Sequence, residues 1–368
     1  MFGGFVLPHA AIMTLILSND DVEQLLTMHD CIAALEEAYV ELAEGRGINR
    51  VRSDSMVPTA HDGALYSLKS MDGVIPKFGI GAVRIDSDIV TWPKQGNNMR
   101  RVKVPAANGR YVGLVLLFSS ESGEPLAILP DGVMQRMRVG ATNGLGVKYL
   151  ARENARVVGI LGSGWQAGAQ LMAVTAVRDI DVIRCFSPDR DHRETFSHAM
   201  SAALGVEIVP VAQPEDAIAG ADIVMCASNT LDPIFFARWI APGMHLSAIK
   251  VPEIESAAIK RADRLVVHTH DTNPLHVTTK NLSVPERAKN RGWGLAEGAN
   301  FKGAPTLPDL IAGKISGRAA DAEVTCFVNN LGLGYQFAAA GAVVYRKAKE
   351  AGRGHDLPTD WFTQDVHP

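Results

Sequence analysis

Residues 157 to 168 read Val-Val-Gly-Ile-Leu-Gly-Ser-Gly-Trp-Gln-Ala-Gly, an apolar run followed by closely spaced glycines and then residues suited to a helix. A phosphate-bearing dinucleotide needs that order: a strand, a tight turn, and a helix whose first free N–H groups face the pyrophosphate. Gly162 would make the turn and Gly164 would let the backbone approach the pyrophosphate, with Trp165 and Gln166 opening the helix. About twenty residues further on, a second strand should end against the adenosine ribose. There the chain reads Phe186-Ser187-Pro188-Asp189-Arg190. A small hydroxyl at Ser187 with Arg190 behind it suits a 2′-phosphate better than a bare diol. This favours NADP(H), while Asp189 keeps NAD(H) open. Ser228 and Ile249 close two later apolar runs and are expected beside the nicotinamide, since ligands gather at the carboxyl ends of parallel strands.

The chain around this motif has 368 residues, 47% hydrophobic and 21% charged, with a formal net charge of -4. That length buries more than one core, so two domains are expected. The small, mixed charge offers no footprint for nucleic acid or an anionic membrane. The four cysteines stand far apart without a CxxC pair, which argues against a disulfide framework or a metal site and for buried thiols in a reducing cytoplasm. The apolar start lacks a basic stretch and is broken by Pro8 and His9, so it does not read as a signal peptide. Met13 is the more natural domain start. No later apolar run reaches the ~20 residues that would span a bilayer.

The elements that must position the motif change character along the chain. Thr14–Leu17 reads as a short strand, and capping boxes at Ser18 and Thr27 each open a helix, the second ended by Gly45. Short β runs follow at Ala64–Leu68, Gly79–Ile85, Tyr111–Phe118 and Pro125–Leu129, with Trp92–Gly109 expected as a polar surface loop. After Asp131 helices alternate with strands, implying right-handed crossovers and a parallel sheet. Segments at Thr306–Ala312 and Asp321–Glu350 return to helical or mixed character, and Gly352–Pro368 reads as a polar tail, frayed or packed at an interface.

Four stretches together resemble the ornithine cyclodeaminase/μ-crystallin family, which also holds alanine dehydrogenases and imino-acid reductases. They are Arg136-Met137-Arg138-Val139-Gly140-Ala141-Thr142, the Gly162–Ala167 turn, Pro242 to Ile249, and Thr325-Cys326-Phe327 with Gly332-Leu333-Gly334. The resemblance implies an α/β fold in which a Rossmann parallel-sheet domain, residues 131–314, is inserted into an α+β substrate-binding and dimerisation domain, residues 1–130 plus 315–368. A homodimer would follow. It also implies that Arg52 and Arg138 clamp a substrate carboxylate, a task suited to the planar guanidinium fork, and that Thr142 lies at the cofactor.

Two departures from the family pattern matter. The family's Gly-x-Lys lysine appears here as Arg84, a good carboxylate clamp and a poor acid–base group, which leaves Lys69 to take the vacant role. The family's catalytic aspartate loop is shortened to Lys250-Val251-Pro252-Glu253, with Lys250 or Glu253 as replacement. Lys69, Arg84 and Lys250 are therefore the catalytic candidates. Arg52, Lys69, Arg84 and Arg138 are the candidates for holding a small carboxylate-bearing substrate. The leading expectation is an oxidoreductase moving hydride to or from the α-carbon of a small imino, keto or amino acid. The alternatives are an ammonia lyase with catalytic NAD and a non-catalytic NADPH-dependent binding protein.

Overall fold

The computed structural model describes residues 13–95, 98–270, 275–280, 282, 301 and 303–366. The extension expected before Met13 lies outside the described residues.

Seven strands form a wholly parallel sheet in the order Glu207–Pro210, Val182–Phe186, Val157–Leu161, Ile223–Cys226, His245–Ala248, Thr325–Val328, Arg264–Val267. Ile223–Cys226, His245–Ala248 and Thr325–Val328 are buried at every residue, as expected of strands covered on both faces. The helix Gly132–Leu150 packs on the helix Trp165–Val177, which opens at the glycine-rich turn. A Cβ on Gly140 would stand 2.6 Å from the Ala169 carbonyl oxygen, so only glycine allows the approach that carries Arg138 towards the turn.

The second sheet has ten strands and is centred on a long hairpin, Leu65–Ile75 with Ile80–Thr91. Buried positions alternate along its whole length with half-buried ones and, at Leu68, an exposed one. Its middle is inverted in polarity: Ser67, Lys69, Arg84, Asp86 and Asp88 point inward, while Tyr66, Leu68, Ile85 and Ile89 face outward. A reading based on apolar residues therefore ends these strands too early, short of Ile75 and Thr91. The inner face packs against the helix Gly334–Ala351, which in turn packs on Met28–Ala43.

Three expectations change. The boundary at residue 314 does not separate the sheets: Thr325–Val328 sits inside the seven-stranded sheet, and Leu275–Thr278 pairs with Ser53–Pro58 in the other. Trp92–Gly109 is not simply a loop. Its Val102–Val104 pairs with Ile89–Thr91, and Arg100 bridges to Thr230 beside the parallel sheet, so the segment straps one sheet to the other. The tail is not frayed throughout, because His355–Pro358 pairs antiparallel with Met13–Ile16. All four cysteines are buried free thiols. Among the described residues no group of side chains could hold a metal ion, and no helix is long and apolar enough to cross a membrane.

Candidate active site

The dinucleotide end starts at Gly162. Its φ of +130° is open only to glycine in practice, and any Cβ would overlap the Ala227 carbonyl at the end of the neighbouring strand. Gly164 is the N-cap of Trp165–Val177, and no side chain caps that helix. A Cβ added to Gly164 would meet nothing within 4 Å. Uncapped N–H groups beneath an open cradle fit a pyrophosphate. Trp165 is exposed beneath the Arg136 guanidinium, 4.0 Å from its ring, while Gln166 faces the cleft described below. Ser187 is buried just after the second strand, and Arg193 donates to its carbonyl at 2.8 Å. Asp189 accepts from the His192 backbone N–H at 2.9 Å and caps the next helix. Arg190 stands exposed in that helix's first turn, paired with Glu194 at 2.8 Å.

At the strand ends, Glu253 is wholly buried and acts as a brace. Its carboxylate accepts from the Ser228 N–H at 2.5 Å, the Ser228 hydroxyl at 2.8 Å and the Ile249 N–H at 3.2 Å, tying two neighbouring strands together. Burial pushes its pKa up. Ser228 is therefore engaged in the brace, while Ile249 lines the cleft. Lys250 follows directly, at the carboxyl edge of His245–Ala248. It lines the cleft, and its ammonium donates to the Thr230 carbonyl. Burial holds its pKa below the ordinary lysine value, against the pull of Glu253 and with a smaller contribution from Arg101.

The cleft holds about 350 Å³ between the two sheets. Arg138 reaches it from the middle of Gly132–Leu150 and is 4% exposed. It donates to Gln135 Oε1 at 2.6 Å and to Gln336 Oε1 at 2.7 Å. Those partners are neutral, and among the described residues no carboxylate pairs with it. Burial pushes its pKa down to about 9. A buried guanidinium satisfied only by amides is primed for a carboxylate from outside. Gly332 makes room for it, since a Cβ there would overlap the guanidinium. Arg52 lines the same cleft and is held bidentately by Asp54 at 2.7 and 2.8 Å.

Besides Ser228 and the residues of the dinucleotide end other than Gln166, Lys69, Arg84 and Thr142 lie outside the cleft lining. Lys69 is buried between Asp86, at 3.1 Å, and Asp88. Arg84 is bound by Asp131 at 2.5 Å and Asp86 at 3.2 Å. Both cations sit on the inner face of the hairpin; the neighbouring strand supplies the counter-charges of Lys69, while Arg84 takes its own from Asp86 two residues on and from Asp131 at the start of Gly132–Leu150. Thr142 gives its hydroxyl proton to the Arg138 carbonyl at 2.8 Å and accepts from Gln336 at 2.5 Å, so it supports Arg138 from behind.

Sequence reasoning missed the rest of that support. His268 carries its proton on Nδ1, facing the Leu331 carbonyl at 2.5 Å, and Nε2 accepts from Tyr39 at 2.7 Å. Gln336 donates to Tyr39 at 3.0 Å and receives Arg138. Burial pushes the His268 imidazole down to about 3, which keeps it neutral. Arg101 and Lys103 of the strap were missed as well, and both line the cleft. The one signal for them is the basic character of a stretch that otherwise reads as solvent-facing.

The family model of "Ornithine cyclodeaminase/mu-crystallin family" matches residues 12–352. The chain belongs to this family. Among its relatives, a Delta(1)-pyrroline-2-carboxylate reductase of Bacillus cereus is 27% identical over 93% of this chain and 99% of its own length. The alanine dehydrogenase of Archaeoglobus fulgidus is 27% identical over 91% of this chain and 95% of its own. Among solved structures, Thermococcus litoralis Delta(1)-pyrroline-2-carboxylate reductase in complex with NADH and L-proline matches with a TM-score of 0.75 at 26% identity, covering 94% of this chain and 100% of that one. The fold of this family member is thus shared with a reductase along nearly its whole length.

Proposed function

We propose that the chain is an NAD(P)H-dependent oxidoreductase acting at the α-carbon of a small imino, keto or amino acid, with NADP(H) preferred. The observation that carries this reading is Arg138, a buried guanidinium at the cleft whose described partners are all neutral amides. A substrate carboxylate would complete its hydrogen bonding, and Arg52, already oriented by Asp54, would flank it.

The nicotinamide supplies hydride when bound. The chain's own part is to orient the carboxylate, brace the strand ends through Glu253, and deliver one proton. In the reductive direction the C=N bond gains hydride at carbon and a proton at nitrogen. Lys250 carries that proton: it lies at the cleft beside Ile249, and burial lowers its pKa from the ordinary lysine value, the direction that acid–base work asks for. Ser187, with no carboxylate at its position, and the exposed Arg190 support the NADP(H) preference. A second copy of the chain is expected on the outer face of the hairpin sheet, where Leu68, Val112 and Leu114 are each at least 40% exposed.

The test is NADPH oxidation with pyruvate or a cyclic ketimine, ammonium being added for the keto acid. Arg138→Met is expected to raise KM ten- to a hundredfold or more, the loss of a charge-assisted clamp worth ~1.5–3 kcal/mol. Lys250→Met is expected to lower kcat far more than NADPH affinity. Unchanged KM in Arg138→Met would sink the carboxylate assignment. Tightly retained NAD⁺ with ammonia release and no net coenzyme turnover would point to a lyase instead.

A further inference from the structure

The glycine-rich turn is joined to the loop after the second strand by side chains as well as by backbone. The Gly162 N–H donates to the Phe186 carbonyl at 2.8 Å. One residue on, the Ser163 hydroxyl and His192 Nδ1 share a hydrogen bond of 2.7 Å. Ser163 is buried between the two glycines, and His192 is exposed in the first turn of the helix Arg190–Leu204. The bend itself rests on Gly162 and Gly164 and asks for no hydroxyl between them. What the hydroxyl does is tie an imidazole to the coenzyme cradle.

The groups around that imidazole narrow its purpose. Asp189 turns its carboxylate to its own helix, where it accepts the His192 backbone N–H at 2.9 Å. Arg193 holds the loop by donating to the Ser187 carbonyl at 2.8 Å. Arg190 pairs with Glu194 one turn along the same helix. Arg190 and His192 are two residues apart, which points their side chains roughly 200° from each other around the helix. His192 thus meets the glycine-rich turn, and Arg190 lies on another face. Ser163 engages Nδ1 and leaves Nε2 for a ligand. When Ser163 gives its proton to Nδ1, Nε2 carries the ring proton and is a donor. A ribose diol is normally met by an acceptor carboxylate, whereas a donor suits a phosphate, to which its hydrogen bond is charge-assisted.

We propose that His192 is a coenzyme-selecting residue: Ser163 orients its imidazole so that Nε2 donates to the adenosine 2′-phosphate of NADP(H), with Arg190 as a second, longer-reaching charge. This rests on the reading of the chain as an NADP(H)-preferring enzyme and names the residue pair that makes the choice.

Calorimetry with NADP⁺ and with NAD⁺ tests it without turnover. His192→Ala should weaken NADP⁺ about tenfold and change NAD⁺ by less than about twofold. The fold should stand, because the helix cap uses the backbone N–H of His192 and not its ring. Ser163→Ala, which frees the imidazole to turn, should lose part of the same preference. His192→Gln, which keeps an N–H donor, should recover part of it. Phosphorus NMR of bound NADP⁺ separates the 2′-phosphate from the pyrophosphate, and only the 2′-phosphate resonance should move in His192→Ala. An equal loss of NADP⁺ and NAD⁺ in that variant, or an unmoved 2′-phosphate resonance, would overturn the inference. Equal binding of the two coenzymes by the wild-type protein would remove the NADP(H) preference itself. A preference that survives His192→Ala intact would remove the role of His192 and leave the NADP(H) reading standing.

Discussion

The two sheets bury opposite kinds of residue. The parallel sheet is mostly apolar, with three of its strands buried at every position and His245, Ser247 and Thr325 as the polar residues within them. The hairpin sheet buries a row of charges: Asp54 lies across from Lys69, and Lys69 from Asp86, in direct cross-strand register. In the first sheet the backbone does the work, through a turn that tolerates only glycine and a helix end without a side-chain cap. In the second, side chains do it by neutralising one another across strands. A dinucleotide can be met by backbone N–H groups, whereas a small acid needs cations held in fixed directions, and buried cations require built-in counter-charges.

The sharpest way to break this contrast is at the turn. Gly164→Val should leave the fold intact, because the added side chain meets open space. It should weaken NADP(H) binding on the order of a thousandfold, ~4 kcal/mol, by filling the pyrophosphate cradle. Calorimetry on a variant with an unchanged melting temperature reads this, and unaltered affinity would refute the backbone-cradle half of the comparison.

The next largest effect is expected inside the charged row. Lys69→Met leaves Asp86 and Asp88 short of a buried counter-charge and should cost about 3 kcal/mol of stability in urea denaturation. Turnover of the protein that remains folded should fall much less. A variant that keeps its stability but loses kcat would make Lys69 a group acting on substrate, contrary to its place outside the cleft.

A smaller effect tests the coenzyme end. Arg190→Ala should weaken NADPH binding about tenfold and leave NADH nearly untouched. Equal affinities for the two coenzymes in the unaltered protein would show that Ser187 and Arg190 do not read a phosphate.

The smallest prediction concerns pH. His245 and His268 are each pushed down to about 3 by burial, below the ~6.5 of an unfolded histidine. Their contribution to stability is present in full above pH 6.5 and is lost as pH falls towards 3, because the unfolded chain takes up the protons first. At pH 5.5 each should cost about 1.3 kcal/mol relative to neutral pH. His268→Gln should flatten the urea-stability profile between pH 7 and 5.5. An unchanged slope would mean that this imidazole is not held neutral behind Arg138.

Much of the dinucleotide half is legible from local pattern. The alternation of helices and strands read after Asp131 builds the seven-stranded parallel sheet, and both N-terminal capping boxes form as expected at Ser18 and Thr27. Arg52, Arg138, Gln166, Ile249 and Lys250 do meet at one cleft. The full length of the hairpin escapes a reading that judges strands by apolar alternation, because here the buried positions are charged. Trp92–Gly109 reads as solvent-facing for the same reason, since polar composition alone cannot reveal a pairing partner.

Local sequence by itself determined the turn, the helices and the parallel-sheet core, because glycine torsions, capping residues and apolar periodicity act within a few residues. Only the tertiary structure decided which cations line the cleft. Lys69 and Arg84 carry the same charge as Lys250 and Arg138, yet the first two are satisfied by aspartates and the latter two by a carbonyl and amides. That difference depends on strand register and on residues far apart in the chain, such as Gln336 behind Arg138 and Thr230 beside Lys250. Whether a charge is spent inside the protein or kept for a substrate is set by what lies within about 3–4 Å of it in space, a distance the order of residues does not contain.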